Sequence, residues 1–261
     1  MNNFADFATG PYRTARQLEC NARGFSLIEL MIAIFITVFL VAGMLGIIVS
    51  MRGSFATQDQ LERMQENQRF ALSVLDNTIR DAGFFSNPTI YTSATAFLAT
   101  TNANPDGTTF VATQSIAGTT GSGTASDTVN VRYQTASGDG LMNCLGDTNT
   151  SGAAVSWTNS FSVNTSNQLV CAVSINGAVA TTAVPLVDNV ASMKVLYGVD
   201  TNADGSADKY VSSSAIGVAP AWTDVNSVRL QITFQDLVNS KTGTSVSLPV
   251  LTHNISLMNK P

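Results

Sequence analysis

The sequence predicts an α+β protein in which one long N-terminal helix packs against an antiparallel β-sheet. Residues 30–51 carry no charge and residues 56–82 contain neither Pro nor Gly, so we predict a single helix from Phe25 to about Asp81. After residue 84, apolar and polar residues alternate in short runs, and no second helical stretch of comparable length follows. Because an amphipathic helix must bury its apolar stripe, these runs are expected to form the sheet that covers it.

The charge-free run predicts a membrane-spanning segment. A helix over residues 30–51 is roughly 30 Å long, the thickness of a bilayer core. The run is longer than the apolar core of a secretory signal, which is about 7–15 residues, and no small-x-small cleavage site follows it. Arg13, Arg16 and Arg23 precede the run, so the positive-inside rule places the N-terminus in the cytoplasm and the rest of the chain in the periplasm.

Glu29 lies at the edge of this run, where a carboxylate is costly and is usually paired. The sequence GFSLIE at residues 24–29 resembles the type III leader junction of type IV prepilins and type II secretion pseudopilins. In that family a membrane peptidase cuts after the glycine and methylates the new N-terminal residue. The resemblance implies cleavage between Gly24 and Phe25, N-methylation of Phe25, and a role for Glu29 as an assembly contact. The alternative is an uncleaved single-pass anchor.

With this junction, the chain is expected to divide into four segments. Residues 1–24 would be a cleaved prepilin leader, and residues 25–52 the transmembrane and assembly half of the helix. Apolar residues at helical spacing predict an amphipathic half over residues 53–83, ended by Gly83 as a left-handed cap. Residues 84–261 would then form a β-rich head in the periplasm or outside the cell. In family terms the expected architecture is the pilin fold.

A second resemblance narrows the class. The stretches QRFAL at residues 68–72 and IRDAGF at 79–84 resemble the helix of PilW-type minor pilins, and YGVD at 197–200 extends the similarity. Minor pseudopilins of type II secretion, the J component, share a similar pattern.

These resemblances imply a minor pilin that primes type IV pilus assembly and is incorporated at or near the pilus tip. The implied partners are other minor pilins, the major pilin, the prepilin peptidase and the inner-membrane assembly platform. Glu29 would pair with the N-terminal amine of a neighbouring subunit. Two alternatives stay open: a J-type pseudopilin of type II secretion, and a membrane-tethered adhesion domain that never polymerises.

The head shows several strand patterns. Alternation predicts four strands and a fifth near the C-terminus, and Asn176-Gly177 is a strong hairpin signal. The predicted strands lie around residues 129–133, 169–175, 193–199, 228–234 and 246–257.

The three cysteines fit an oxidising compartment. Cleavage after Gly24 would remove Cys20 and leave Cys144 and Cys171 as an even pair. A bridge between them would contribute roughly 3–4 kcal/mol by the chain-entropy model. The alternative is a pair of buried free thiols.

One loop resembles the front of a calcium-binding loop. Oxygen-bearing side chains recur at alternate positions, and a glycine stands where such loops turn sharply. The loop departs from the EF-hand pattern at its twelfth position, which is Val211, and strands rather than helices are predicted on either side. Calcium and a metal-free Asx-rich turn therefore remain as alternatives. The candidate calcium ligands are Asp200, Asn202, Asp204, Ser206 and Asp208.

Composition argues against other functions. Charged residues make up 12 % of the 261-residue chain, and the net charge is −5 without clustered Lys or Arg, so nucleic acid is not an expected ligand. His253 is the only histidine and has no neighbouring Cys or Ser motif, which predicts a structural or surface residue. No nucleotide-binding or nucleophile motif is present, so we predict that the chain is not an enzyme.

Overall fold

The computed structural model describes residues 24–217, 221–235 and 250–259. The predictions that concern the leader, including the fate of Cys20 and the orientation deduced from its arginines, lie outside the described residues.

The described chain forms two units, one ending at Phe55 and the other beginning at Ala56. Helix α1 (Leu27–Arg80) contributes to both, and its bounds agree with the helix predicted from the sequence. Gly83 follows the helix with φ +80°, the left-handed conformation predicted for a cap. Its N–H donates to the carbonyl of Arg132 at 3.0 Å, so the end of the helix is tied to a strand of the head.

The rest of the described second unit contains one short helix, two 3₁₀ turns and nine strands. These elements are α2 (Ser93–Ala96), β1 (Ile116–Ala117), β2 (Val129–Thr135), β3 (Val155–Val163), β4 (Leu169–Ile175), β5 (Val184–Val187), β6 (Val190–Val199), β7 (Lys209–Val211), the 3₁₀ turns Ser213–Ala215 and Trp222–Asp224, β8 (Val225–Phe234) and β9 (Leu251–Ser256).

The strands form two sheets. The first has the order β1-β2-β3-β4-β5 and the second β7-β6-β8-β9, and all neighbouring strands are antiparallel. The sequence predicted antiparallel structure without dividing it between sheets. Asn176 and Gly177 both have positive φ, +51° and +71°, as a type I′ turn requires, so the hairpin between β4 and β5 is confirmed.

The core of the head lies against the second half of α1. Ala71, Leu75 and Ile79 are fully buried at four-residue spacing and form one stripe of the helix. The same cluster contains side chains from both sheets, among them Tyr133 and Tyr197. The predicted packing of the helix on sheet structure is thus confirmed.

The two sheets are joined by Asp127, which lies two residues before the start of β2. Its N–H donates to the carbonyl of Met193, and its Oδ2 accepts from the N–H of Val195, both at 2.8 Å. Its Oδ1 lies 3.1 Å from the Nζ of Lys194. A buried carboxylate thus pairs one sheet with β6 of the other, and its charge is compensated there.

Strand β3 is the longest of the strands that alternation did not predict. Its inward positions are Trp157, Asn159 and Phe161, so an amide interrupts the apolar face. Its outward positions are polar, with Thr158 and Ser160 buried and the serines at positions 156 and 162 half-buried.

Candidate functional site: the N-terminal junction and the head

The predicted cleavage point lies just before α1. Residues 24–26 are non-helical, and the N–H of Leu30 donates to the carbonyl of Ser26 at 3.2 Å as the helix begins. The Phe25 side chain is 81 % exposed. The Gly24–Phe25 peptide bond therefore lies outside the helix, where a peptidase could bind it in an extended form.

Glu29 lies in the first turn of α1, and its side chain is exposed. The free N–H groups of a helix give its first turn partial positive charge, so a carboxylate is favoured at this position. The exposed side chain is available to a group outside the chain.

The helix segment that follows has an apolar surface on every side. All residues from 27 to 55 are exposed, although most of them are large aliphatic or aromatic residues. Among the described residues α1 is the one helix long and apolar enough to cross a membrane. Burying a side chain such as leucine or phenylalanine is worth about 1.5–3 kcal/mol, so this surface strongly favours lipid or other apolar helices over water.

In the head, the predicted disulfide is confirmed. Cys144 and Cys171 are bonded, with their Cα atoms 6.5 Å apart, and both are buried. The bridge attaches the connection between β2 and β3 to the central part of β4. Two hydrogen bonds support the same connection: the N–H of Cys144 donates to Asn159 Oδ1 at 2.8 Å, and the Tyr133 hydroxyl donates to the carbonyl of Met142. Burial, above all, raises the pKa of Tyr133, so this hydroxyl stays protonated as a donor.

The predicted calcium loop is organised by its own carboxylates. Asp200 accepts from the N–H groups of Ala203 at 2.6 Å and Gly205 at 2.8 Å, and Gly205 has φ +88°. Asp208 accepts from the N–H and the hydroxyl of Thr201 at 2.7 and 2.6 Å. The hydrogen bond from the Thr201 side chain, with that from its N–H, holds the pKa of Asp208 below its usual value.

Calcium binding stays a prediction. The described residues contain no group of three or more His, Cys, Asp and Glu side chains placed to hold a metal ion. The loop therefore does not bring Asp200, Asp204 and Asp208 together as such a group. The remaining predicted ligands, Asn202 and Ser206, supply an amide and a hydroxyl or carbonyl oxygen, which calcium also accepts.

A charged cluster joins α1 to the last described strand. Asp76 Oδ1 lies 2.9 Å from His253 Nε2, and Asp76 Oδ2 lies 2.6 Å from Arg80 Nε. Burial would raise the pKa of Asp76, but the hydrogen bonds from Arg80 and His253 outweigh it and hold that pKa below its usual value. His253 is thus a structural residue, as predicted. The Asp76–Arg80 pair is visible in the sequence from its i, i+4 spacing, whereas the partner on β9 is not.

The sequence did not indicate that Arg132 on β2 would be a buried, charged side chain with several contacts. It is 2 % exposed and donates to main-chain carbonyls of the segment that covers the sheet, including Leu98 at 2.6 Å and Val111 at 2.7 Å. Its guanidinium carbon lies 5.3 Å from the Phe97 ring centroid and 4.6 Å from that of Phe110. Burial lowers its pKa to about 10, which leaves it charged at neutral pH.

Comparisons with known proteins match two parts of the chain. A family model described as type IV pilus-assembly protein W, PilW, matches residues 156–260, and a model of the prokaryotic N-terminal methylation motif matches residues 20–45. Among solved structures, a type IV-like pilin from Thermus thermophilus is 10 % identical and aligns over 76 % of this chain and 96 % of its own, with a TM-score of 0.41. No curated protein matches the chain.

The two family matches cover the N-terminal junction and the Asp200–Asp208 loop, whereas residues 68–84 and Cys144 lie outside both. The methylation-motif match contains Gly24, Phe25 and Glu29, and the PilW match runs from β3 through the Asp200–Asp208 loop to β9. The PilW and pilin families are structural rather than enzymatic. The prepilin motif near the start of the chain and the PilW match over residues 156–260 support a PilW-like type IV minor pilin.

Proposed function

We propose that this minor pilin primes type IV pilus assembly and is incorporated at or near the pilus tip. The observation that carries the proposal is the segment directly after the methylation-motif junction. It is a helix with apolar residues exposed on all sides and one carboxylate, Glu29, in its first turn. Such a surface suits lipid before assembly and a bundle of similar helices after it, because both remove it from water.

The first step of the proposal is processing. A prepilin peptidase cuts between Gly24 and Phe25, and the new amine of Phe25 is methylated. The methylation-motif match and the position of this bond outside α1 support the step. Before the cut the precursor lies in the inner membrane with its N-terminus in the cytoplasm. The mature head lies in the periplasm and later on the surface pilus.

The second step is the assembly contact. Glu29 pairs with the positively charged amine of Phe25 in a neighbouring subunit. In a bundle of apolar helices an unpaired carboxylate is costly, and so is an unpaired amine, so their contact compensates both. The same contact selects one axial register between subunits, because a shift along the helix would separate the charges. The neighbours are other minor pilins and the major pilin, delivered through the inner-membrane assembly platform.

Deletion of the gene tests the priming role. We expect loss of most surface pili and of twitching, while secretion of extracellular enzymes continues. Complementation by the wild-type chain serves as the control. Loss of secretion with normal piliation would instead indicate the J-type pseudopilin and would contradict the proposal.

Mass spectrometry of the mature N-terminus tests processing. The expected mature chain begins with N-methylated Phe25. A protein that retains Met1 would contradict processing and would indicate a tether that does not polymerise.

A further inference from the structure

Strand β9 is the last strand of the second sheet, and its outer edge is free within the described residues. It pairs with β8 on its other side, where the N–H of Leu257, just after β9, donates to the carbonyl of Asn226 at 2.9 Å. In an antiparallel pair, the backbone groups of successive residues face the partner strand and face away from it in turn. The N–H and C=O groups of Thr252, Asn254 and Ser256 therefore point away from β8, and no described backbone group pairs with them. All three residues are exposed.

The other sheet edges carry features that keep a strand from pairing further. Strands β1 and β7 are only two and three residues long. Strand β5 contains Pro185 and pairs with β4 through a shift of register between Leu169 and Val170. Strand β9, in contrast, is six residues long, contains neither Lys nor Pro, and pairs with β8 in unbroken register. Its edge is therefore the one best suited to receive another strand.

Beside this edge, the outward face of the sheet holds a positive charge in a fixed position. Arg229 Nε donates to Asn254 Oδ1 at 2.9 Å, and the guanidinium carbon lies 3.8 Å from the centroid of the Tyr210 ring. Tyr210 is itself held by the Ser227 hydroxyl at 3.2 Å, and a Cβ at Gly198 would lie 3.1 Å from its Cε1. Arg229 forms no ion pair with any described residue. Its remaining N–H groups suit a carboxylate, which a guanidinium binds through two parallel hydrogen bonds.

The free edge also lies beside the second half of α1. Asp76 contacts His253, and one turn further along the helix the carbonyl of Arg80 accepts from the N–H of Met258 at 3.4 Å. Strand β9 and this part of α1 therefore run in the same direction. Antiparallel pairing of β9 with the β9 of a second copy would set the two α1 helices in opposite directions, because the twofold axis of such a pair is perpendicular to the sheet. Subunits that share one membrane and one pilus have parallel helices, so the edge suits a different chain.

We propose that the free edge of β9 binds an extended segment of a neighbouring pilin of different sequence, and that Arg229 binds a carboxylate side chain on that segment. The added strand would lie about 4.8 Å from β9, with one side chain next to Asn254 on the outward face. Because Arg229 already reaches Asn254, a carboxylate at that position can accept its free N–H groups. Backbone hydrogen bonds to the edge supply affinity, and the carboxylate supplies selectivity. The proposal rests on the proposed function, because it assigns a contact of the head to subunits that assemble through α1.

Photo-crosslinking in cells that assemble pili tests the proposal with the full chain. The photoreactive residue p-benzoylphenylalanine replaces Thr252 at the free edge or, as the matched control, Thr165 in an exposed turn of the head. After irradiation, mass spectrometry is expected to identify an adduct between position 252 and another pilin, at a segment that contains Asp or Glu. The control at position 165 should not yield this adduct.

Two substitutions test the two parts of the contact. Thr252→Pro removes an outward N–H, and Arg229→Met removes the charge while it keeps an unbranched apolar side chain. Each should lower the amount of the chain in sheared pili by about tenfold, the loss expected when one hydrogen bond to backbone or to a charged group is removed. Lys209→Met removes an exposed positive charge from β7, at the opposite edge of the same sheet, and should leave that amount unchanged. A thermal melt of each variant checks folding, and if one variant fails to fold the other decides alone.

Three results would overturn the proposal: no adduct at position 252, an adduct there with a second copy or with a protein that is not a pilin, or incorporation of either folded variant at the wild-type level. Failure of this contact is distinguishable from failure of the assembly role. If Glu29→Ala is absent from pili while both edge variants are incorporated like the wild type, the edge contact is wrong and the assembly role stands.

Discussion

The N-terminal helix segment exposes its apolar side chains, whereas the head buries them in a core. Residues 27–55 expose nearly all of their large apolar side chains, whereas the head buries side chains from α1 and both sheets in one cluster. A surface of the first kind is stabilised only by something outside the chain. A core of the second kind is stabilised by the chain itself. A substitution in the segment should therefore change assembly, and a substitution in the head should change folding.

The sharpest test of this difference compares two leucines of the same helix. Leu75 is fully buried in the head, while Leu45 is 57 % exposed in the segment. Leu75→Ala should lower the free energy of unfolding of the head by about 3–5 kcal/mol, since it leaves a cavity in a packed core. Leu45→Ala should leave that free energy unchanged. Tryptophan fluorescence reports the head alone, because both tryptophans, Trp157 and Trp222, belong to it. Equal effects of the two substitutions would remove the distinction.

Loss of the disulfide should have the next largest effect. The double change Cys144→Ser and Cys171→Ser should destabilise the head by about 3 kcal/mol, because the unfolded chain regains the freedom of the closed loop. Chemical denaturation followed by tryptophan fluorescence measures this, and reduction of the wild-type chain should reproduce it. If the denaturation midpoint were unchanged in both experiments, the disulfide would contribute nothing to the stability of the head.

Calcium binding to the Asp200–Asp208 loop is expected to have the third largest effect on the stability of the head. If the Asp200–Asp208 loop binds calcium, a concentration 100 times the Kd should stabilise the head by about 2.7 kcal/mol, and a chelator should reverse the shift. Asp204→Ala should abolish this response, whereas Asp188→Ala, outside the loop, should preserve it. Thermal melts with calcium and with chelator measure both. Identical melts would leave the loop as a metal-free turn.

The smallest effect belongs to the cluster between α1 and β9. The pKa of Asp76 is lower in the folded chain than its ordinary value of 3.8, so its charge contributes stability above that value. This contribution is lost as pH falls through the lowered pKa. Asp76→Asn should cost about 1 kcal/mol at neutral pH, and the difference from wild type should shrink below about pH 4.

Asp59→Asn is the control for this pH dependence. Asp59 and Arg63 form an exposed pair on the same helix, with the carboxylate side chain 62 % exposed, so its loss should be close to silent. The account of the cluster would be contradicted if the difference in unfolding free energy between Asp76→Asn and wild type stayed constant across the acid range.

The sequence predicts those features that local periodicity or local turn chemistry determines. The helix bounds, the left-handed Gly83, the turn at Asn176 and Gly177 and most strands are of this kind. The cysteine pair was also predictable, because one pairing, Cys144 with Cys171, is left once Cys20 is assigned to the leader.

Long-range polar contacts could not be predicted in the same way. The burial of Arg132 depends on carbonyl groups of a covering segment far from it in sequence, and the Asp76–His253 contact joins the helix to the last described strand. Strand β3 was missed because Asn159 takes an inward position and accepts from Cys144. The pattern of a single sequence does not indicate which polar residues that are far apart in the chain will contact each other in the fold.

The most direct measurement of the central claim is pilus incorporation by a Glu29→Ala variant, with Glu62→Ala on the exposed face of the same helix as the matched control. The account predicts that Glu29→Ala is cut and methylated at Phe25, that its head unfolds like the wild type, and that it is absent from sheared pili. Normal incorporation of Glu29→Ala would contradict the claim that this carboxylate carries the assembly contact.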